Sequence, residues 1–451
     1  MNVLITGATG LIGKELGKIL ADKGHNIIVV SRNAKRAAMT LPFPCKVIEG
    51  DLLREPLEKD ALKSVDAVIN LMGEPVVGTR WSEAQKKKIY DSRVVGTRNL
   101  IASLPAQLKA FISGSAIGFY GDCKDKVCAE NQTPGSDFLA RVTTDWEAEA
   151  KKAPGRIAII RTGIVLSAHG GALEQMLFPF KAGVGGALGN GKQWMSWISI
   201  QDIANLFVFA LENEQVQGPL NGAAPHPVTN MQFSKALAKS LDRNLGLPVP
   251  VLAIKALYGE AAQTITSSVR TSAQYVESLG FKFEHPYLPE YLHHLCAPWR
   301  AREEIFYSEQ FIPVAPEKLF TFFKDPYNLE QITPPTLSFH IKKVSAKEIQ
   351  QGTLIDYVLK IRGVPAKWKT EIGEWNPPFK FVDRQLSGPY SLWHHTHEFR
   401  PFCGGTLMTD RVRYKLPMGF LGWITAGAFV KSEVTQIFKY RREVISALKI
   451  T

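Results

Sequence analysis

Three glycines spaced by threes, Gly7, Gly10 and Gly13, follow the apolar run Val3-Leu4-Ile5-Thr6 and precede a helical pattern of Leu11, Leu16, Ile19 and Leu20. That order is what a dinucleotide pyrophosphate requires. Gly7 permits the tight turn, Gly10 lets backbone approach a phosphate with no Cβ in the way, and Gly13 lets the helix pack close on the strand. The helix start then offers free N–H groups and the positive end of its dipole to the anion. The expected cradle is Gly7, Thr9, Gly10, Leu11 and Ile12. At the end of the next strand, 26–30, an NAD-selective site would carry an acid for the ribose hydroxyls, whereas this chain carries Arg32. A guanidinium pairs bidentately with a phosphate and stacks on adenine, so Arg32 predicts NADP in preference to NAD. Two more strand ends point into the same crevice: Asp51-Leu52 toward the adenine, and Gly73-Glu74 along the path to the nicotinamide ribose.

These groups meet only if their strands lie parallel and adjacent, and the chain has the pattern for it. Strand and helix signals alternate through residue 166, which predicts an α/β Rossmann domain, a doubly wound parallel sheet. Its fifth strand is expected at 110–113, a helix at 137–152 and the sixth strand at 156–166. The glycine-rich stretch from Gly170 to Gly191 predicts a mobile loop over the crevice, followed by a helix at 202–211 with Asp202 as its N-cap. Trp194 and Trp197 bracket Ser196 there, with Trp197 opening a buried strand. A chain of 451 residues exceeds one ordinary core and predicts two units. No leader pattern precedes the first strand, so the expected location is cytoplasmic. Five scattered cysteines read as thiols of a reducing compartment, with no metal site implied. The net charge is +12, and residues 301–451 hold 21 basic and 15 acidic residues, so half of the excess lies in that third. Without a basic block or a recognition motif, nucleic acid is not an expected partner.

Residues Gly7–Gly13, Ser31-Arg32, Gly73-Glu74 with Arg80-Trp81, Gly114–Gly121, Arg161–Leu166 and Gln193–Asp202 resemble the epimerase-family proteins. These are atypical extended short-chain dehydrogenase/reductases, also labelled cell-division-inhibitor-like. The resemblance spans 1–297, with 248–295 similar to the family's C-terminal extension. It implies NADP contacts from Ser31, Arg32, Glu74 and Arg80. Short-chain dehydrogenases also use a Ser, a Tyr and a Lys four residues after the Tyr, the last two on one helical face. Ser115 stands where the Ser belongs, but the helix that should carry the pair reads Phe138-Leu139-Ala140-Arg141-Val142-Thr143-Thr144-Asp145-Trp146-Glu147. Tyr120, close after Ser115, is the remaining candidate acid. Arg161 reads equally as a source of charge and as a structural ion-pair partner.

Beyond a linker near 297–302 the pattern changes to α+β. A strand at 304–311 and a helix at 316–328 lead to strands at 338–344, 353–361, 367–375, 379–386, 391–399 and 405–415. A closing helix follows at 421–448. This unit, 304–451, resembles SRPBCC or START-like helix-grip proteins through Phe320–Leu329, Gly388–Phe399 and Gly405–Val412, which implies a cavity for a hydrophobic ligand. Period two places Trp393, His395, His397 and Phe399 on one strand face. Two histidines at i and i+2 can hold a metal, but spacing reveals no third ligand, so polar groups around a cavity are expected instead. The apolar stretch 419–430 is too short to span a bilayer, which takes about 20 residues. It is expected as the buried face of the closing helix.

Two functional readings follow. One is an NADP-dependent oxidoreductase or epimerase-like enzyme acting on a small, apolar or amphiphilic molecule. The other is a non-catalytic NADP-responsive regulator or lipid-binding module, which the family label would link to cell division. Homo-oligomerisation is left open by both.

Overall fold

Val3, Leu4 and Ile5 are each fully buried, and a run buried on both faces is what the inner strand of a parallel sheet needs. Burying each such side chain contributes about 1.5–3 kcal/mol. The computed structural model describes residues 1–78 and 80–448 and divides into two compact units, 1–37 with 45–297 and 38–44 with 298–451.

In unit 1, β1 (Asn2–Thr6), β2 (Asn26–Ser31), β3 (Lys46–Glu49), β4 (Ala67–Asn70), β5 (Ala110–Ala116), β6 (Arg156–Thr162) and β7 (Gly218–Gly222) form one sheet in the order β7-β6-β5-β4-β1-β2-β3. All six pairings are parallel. The strand order reverses between β1 and β4, which opens a crevice at their C-terminal ends. Leu4, Val68, Phe111 and Ile159 pack with Leu100 of α2 (Glu83–Ala102) and Ala150 of α3 (Phe138–Ala150). Val3 and Ile5 point to the opposite face, where α1 (Leu11–Asp22) packs with α4 (Ile200–Glu212).

Three local expectations change here. The strand expected at 156–166 breaks at Gly163, where a Cβ would lie 2.8 Å from the Ser196 carbonyl oxygen. The chain restarts as Ile164–Ser167, paired with Trp197–Ser199. The glycine-rich stretch is not one continuous loop, because Leu173, Leu177 and Phe180, spaced by four and three, bury one face of a helix over Ala172–Lys181. The N-cap of α4 is Ser199, whose hydroxyl accepts from Asp202 N at 2.9 Å. Asp202 sits one turn on and accepts from the backbone N–H groups of Glu284 (2.7 Å) and His285 (3.1 Å), so it ties the C-terminal extension to the sheet domain.

The cysteine expectation also changes at one place. Cys123 and Cys128 form a disulfide pair, brought together with Phe119, Tyr120 and Val269 in a small buried cluster as the chain folds back after β5.

In unit 2, β8 (Glu304–Ile312), β9 (His340–Val344), β10 (Leu354–Ile361), β11 (Val364–Asn376), β12 (Lys380–Ser387), β13 (Leu392–Phe402) and β14 (Gly405–Lys415) form an antiparallel sheet in the order β8-β14-β13-β12-β11-β10-β9. Helix α5 (Pro316–Lys324) contributes Leu319, Phe320 and Phe323 to a core with Phe381, Phe399 and Met408. The closing helix α6 (Phe420–Ala447) buries Val434, Phe438 and Ile445, a stripe at helical spacing that faces the sheet. The apolar stretch 419–430 is therefore not its buried face: Ile424 is 54% exposed, and the stripe begins a turn later. Among the described residues, no helix is long and apolar enough to cross a membrane.

Candidate functional site

The cradle at the β1–α1 turn is built from backbone. Gly7 takes φ +68°, and a Cβ there would stand 2.6 Å from the Leu71 carbonyl oxygen, so β1 and the chain after β4 approach closely. Gly10 N donates to Gly7 O at 2.9 Å and closes the turn. Gly10 then caps α1 with no side-chain cap and no acid in its first turn, which leaves that turn's N–H groups facing outward toward an anion. Thr9 and Gly10 are exposed, and Leu11 and Ile12 are half-buried beside them. Below the turn, Thr6 Oγ1 donates to Asn70 Oδ1 (2.6 Å) and Asn70 Nδ2 to Thr97 Oγ1 (2.9 Å). This buried chain locks β1 to β4 where the sheet reverses.

The remaining crevice candidates follow the C-terminal ends of β2, β3 and β4. Ser31 Oγ receives Asn33 N at 3.3 Å. Arg32 is exposed and makes no hydrogen bond or ion pair with the described residues. Asp51 accepts from Leu53 N at 3.1 Å and pairs with Arg54 at 3.4 Å. Leu52 is 3% exposed and its side chain belongs to the core, so only its backbone can reach a ligand. Glu74 N donates to Ser92 Oγ (2.9 Å), and Glu74 O accepts from Arg93 (2.9 Å). Arg93 is a residue that motif reasoning passed over: its guanidinium lies 3.0 Å from where a Gly73 Cβ would be. Burial pulls it down to about 10. Arg80 is exposed and stands beside Gly259 of the C-terminal extension.

Ser115 and Tyr120 come together, but inside a closed network. Ser115 Oγ donates to Glu147 Oε1 at 2.7 Å. Arg161 grips the same carboxylate through Nε (2.8 Å) and Nη2 (2.9 Å), and its Nη1 donates to Tyr120 Oη at 3.0 Å. Tyr120 Oη in turn donates to Asn221 Oδ1 at 2.6 Å. All five residues are buried, and the Arg161 guanidinium also lies 3.4 Å from the centre of the Phe119 ring. Burial raises the Tyr120 phenol above its ordinary value despite Arg161 beside it. Arg161 is thus the structural ion-pair partner of the two alternatives. Its mate Glu147 lies on the buried face of α3 with Thr143, Trp146 and Ala150, a helical spacing that carried the signal. Helix α3 holds neither Tyr nor Lys.

Unit 2 encloses a cavity of about 180 Å³ lined by apolar groups such as Phe322, Phe323, Ile355, Leu359 and Trp368. At one side of it stand Asp383 of β12, His395 and His397 of β13, and Arg441 of α6. Trp393, His395 and His397 share the cavity face as period two requires, and the third group that spacing along β13 did not reveal, Asp383, comes from the neighbouring strand. Burial and the adjacent His397 push the His395 imidazole down to about 4, against attraction from Asp383 and Asp410. Burial works to raise both aspartates, but the histidines and Arg441 hold them below the usual carboxylate range. An imidazole whose folded value lies below its unfolded one, about 6.5, contributes stability that is present above pH 6.5 and lost as the pH falls toward 4. The expected loss over that window is about 3 kcal/mol. Thermal midpoints of chelator-stripped protein measured from pH 7 to 4 should show this fall in the wild type and a flatter profile in His395→Gln; parallel profiles would contradict the assignment.

The sheet order, the reversal point and the outward-facing α1 turn define a doubly wound α/β protein with a nucleotide-phosphate cradle. Residues 3–221 match the NAD dependent epimerase/dehydratase family, and residues 249–295 match a domain of unknown function, DUF1731. The epimerase family protein SDR39U1 homolog, chloroplastic, of Arabidopsis thaliana is 39% identical over 300 residues, which are 65% of this chain and 86% of that protein. The epimerase family protein Mb2239 of Mycobacterium bovis is 36% identical over 295 residues, 64% of this chain and 96% of that protein. A crystal structure of human epimerase family protein SDR39U1 with NADPH superimposes with a TM-score of 0.58 at 30% identity, covering 66% of this chain and 99% of the other. This chain belongs to the epimerase family that these relatives define.

Proposed function

We propose that unit 1 binds NADP(H) and performs oxidoreductase or epimerase-like chemistry on a small molecule. The observation that carries the cofactor choice is Arg32, an exposed guanidinium at the end of β2 with no partner among the described residues, where a 2′-phosphate would pair with it. The NADPH in the human relative supports the same choice. Glu74 and Arg80 line the path beyond it, with Ser31 and Asp51 beside the adenylate. Calorimetry should find NADPH bound more tightly than NADH. Arg32→Ala should weaken NADPH by about 10–100-fold, the equivalent of one charge-assisted contact of about 1.5–3 kcal/mol, and leave NADH nearly unchanged. Equal affinities in the wild type would overturn the assignment.

Ser115 and Tyr120 have their hydroxyls engaged by Glu147, Arg161 and Asn221, so in this reading they shape the crevice floor rather than move a proton. The lack of a Tyr–Lys pair on α3 favours the second reading, a nucleotide-responsive regulator without turnover. Hydride exchange between bound NADPH and a carbonyl substrate separates the two. For unit 2 the reading is a helix-grip-like domain holding an apolar or amphiphilic molecule, since its cavity has apolar walls such as Phe322, Ile355 and Leu359 and, among the described residues, two buried donors without partners, Trp368 Nε1 and Arg441 Nε, that an acceptor on the occupant would meet.

A further inference from the structure

The polar side of the unit-2 cavity is made of two imidazoles placed between two carboxylates. On the cavity side, Asp383 Oδ2 lies 3.5 Å from His395 Nδ1 and 3.1 Å from His397 Nε2. On the far side, Asp410 Oδ1 lies 3.0 Å from His395 Nε2 and 2.9 Å from His397 Nδ1. Four nitrogen–oxygen contacts need four protons, whereas two neutral imidazoles own two N–H groups. Arg441 Nη2 donates to His397 Nδ1 at 3.2 Å, so with neutral histidines the His397 proton lies on Nε2 toward Asp383 Oδ2 (3.1 Å) and the His395 proton on Nε2 toward Asp410 Oδ1 (3.0 Å). This leaves the His395 Nδ1 lone pair 3.5 Å from Asp383 Oδ2 with no hydrogen between them. A cation bound there would take the place of the His397 Nε2 proton.

We propose that Asp383 Oδ2, His395 Nδ1 and His397 Nε2 bind a divalent transition-metal ion, with Asp410 as the positioning carboxylate behind both histidines. The three ligand atoms lie within 4.8 Å of one another. The two measured edges, 3.1 and 3.5 Å, match the separation of about 3.0–3.5 Å that metal–ligand bonds of about 2.0–2.2 Å give at octahedral or tetrahedral angles. Metal-bound histidines characteristically donate their other N–H to a carboxylate; here Asp410 Oδ1 stands 3.0 Å from His395 Nε2, and it lies 2.9 Å from His397 Nδ1, placed to receive the second N–H once a metal displaces the Nε2 proton. The order of the two carboxylates is set by their surroundings. Arg441 Nη2 stands on the Asp410 side, 3.8 Å from its Oδ1 and 3.2 Å from His397 Nδ1, so that side already has a cation. Asp383, His395 and His397 line the cavity, whereas Asp410 does not.

Two aspartates and one arginine leave the cluster at −1 with neutral histidines, and a divalent ion brings it to +1. An anionic oxygen at an open position facing the cavity would then balance it. The ligand class that fits is a molecule with an apolar body and a carboxylate or ionised hydroxyl head; two histidines and a carboxylate suit Zn²⁺, Co²⁺ or Fe²⁺. The assignment concerns the same cavity as the apolar-ligand reading but does not require that an organic occupant be found.

The test is titration of chelator-stripped, full-length protein with Co²⁺ alone. The expected result is one Co²⁺ per chain with visible d–d absorption, displaced by Zn²⁺, and an X-ray absorption spectrum showing imidazole and oxygen scattering without sulfur. His397→Ala and Asp383→Asn should abolish that absorption, and Asp410→Asn should retain it with affinity lowered about 10–100-fold. Failure to take up Co²⁺ at micromolar concentration, sulfur in the coordination shell, or unchanged binding in Asp383→Asn would overturn the proposal. If the substituted proteins do not fold, the wild-type X-ray absorption spectrum decides alone.

Discussion

Replacing Glu147 with Ala is expected to cost unit 1 about 3–5 kcal/mol, the range for breaking a buried ion pair by removing one partner. Glu147 and Arg161 are each 3% exposed. Burial opposes the charge on Arg161, and the Glu147 carboxylate beside it more than restores it. With that carboxylate gone, a guanidinium stays in the interior with Tyr120 Oη and Glu130 O as its acceptors among the described residues, and Ser115 Oγ loses its acceptor. Tyr120→Phe offers the contrast, because it removes one neutral hydroxyl and leaves the pair intact, for an expected cost of about 1–2 kcal/mol. Urea unfolding of the two variants beside the wild type measures both. A loss under 1 kcal/mol in Glu147→Ala would mean that the network does not hold β5, α3 and β6 together.

Gly7→Ala should lower NADPH affinity by about 100-fold, close to 3 kcal/mol. Two costs add. The left-handed conformation, φ +68°, disfavours an L side chain by about 1–2 kcal/mol, and the new Cβ would meet the Leu71 carbonyl oxygen at 2.6 Å. Backbone cannot swing aside as a side-chain tip does, so either the phosphate turn or the chain after β4 must shift, and both are walls of the crevice. Gly24→Ala separates the causes: Gly24 has φ +80° but nothing within 4 Å of its Cβ position. It should cost stability alone and leave the affinity measured by calorimetry unchanged. Equal affinity losses in both variants would show that the effect is general destabilisation and not the close approach at Leu71.

What could be read along the chain is what depends on near neighbours. The β1–α1 turn was legible because its glycines answer to local sterics within seven residues. The antiparallel run of unit 2 was legible because alternation places Trp393, His395 and His397 on one face whatever lies opposite. The sequence points to Asp202 as the cap of its helix, but the extended backbone at Ser199 (φ −69°, ψ 153°) makes Ser199 the cap three residues earlier. The frequent glycines between 170 and 191 masked the buried spacing of Leu173, Leu177 and Phe180.

The amino-acid sequence by itself determined the parallel α/β sheet with its phosphate turn, the placement of Arg32 after β2, and the antiparallel second unit, because periodicity and turn chemistry act over a few residues. Only the tertiary structure decided which charged groups meet. Glu147 finds Arg161 across 14 residues, Tyr120 finds Asn221 across 101, and Asp383 reaches His395 and His397 from the neighbouring strand. Such pairings depend on strand register and helix placement, which are set by the burial of the whole apolar core and not by any stretch of chain near the groups themselves.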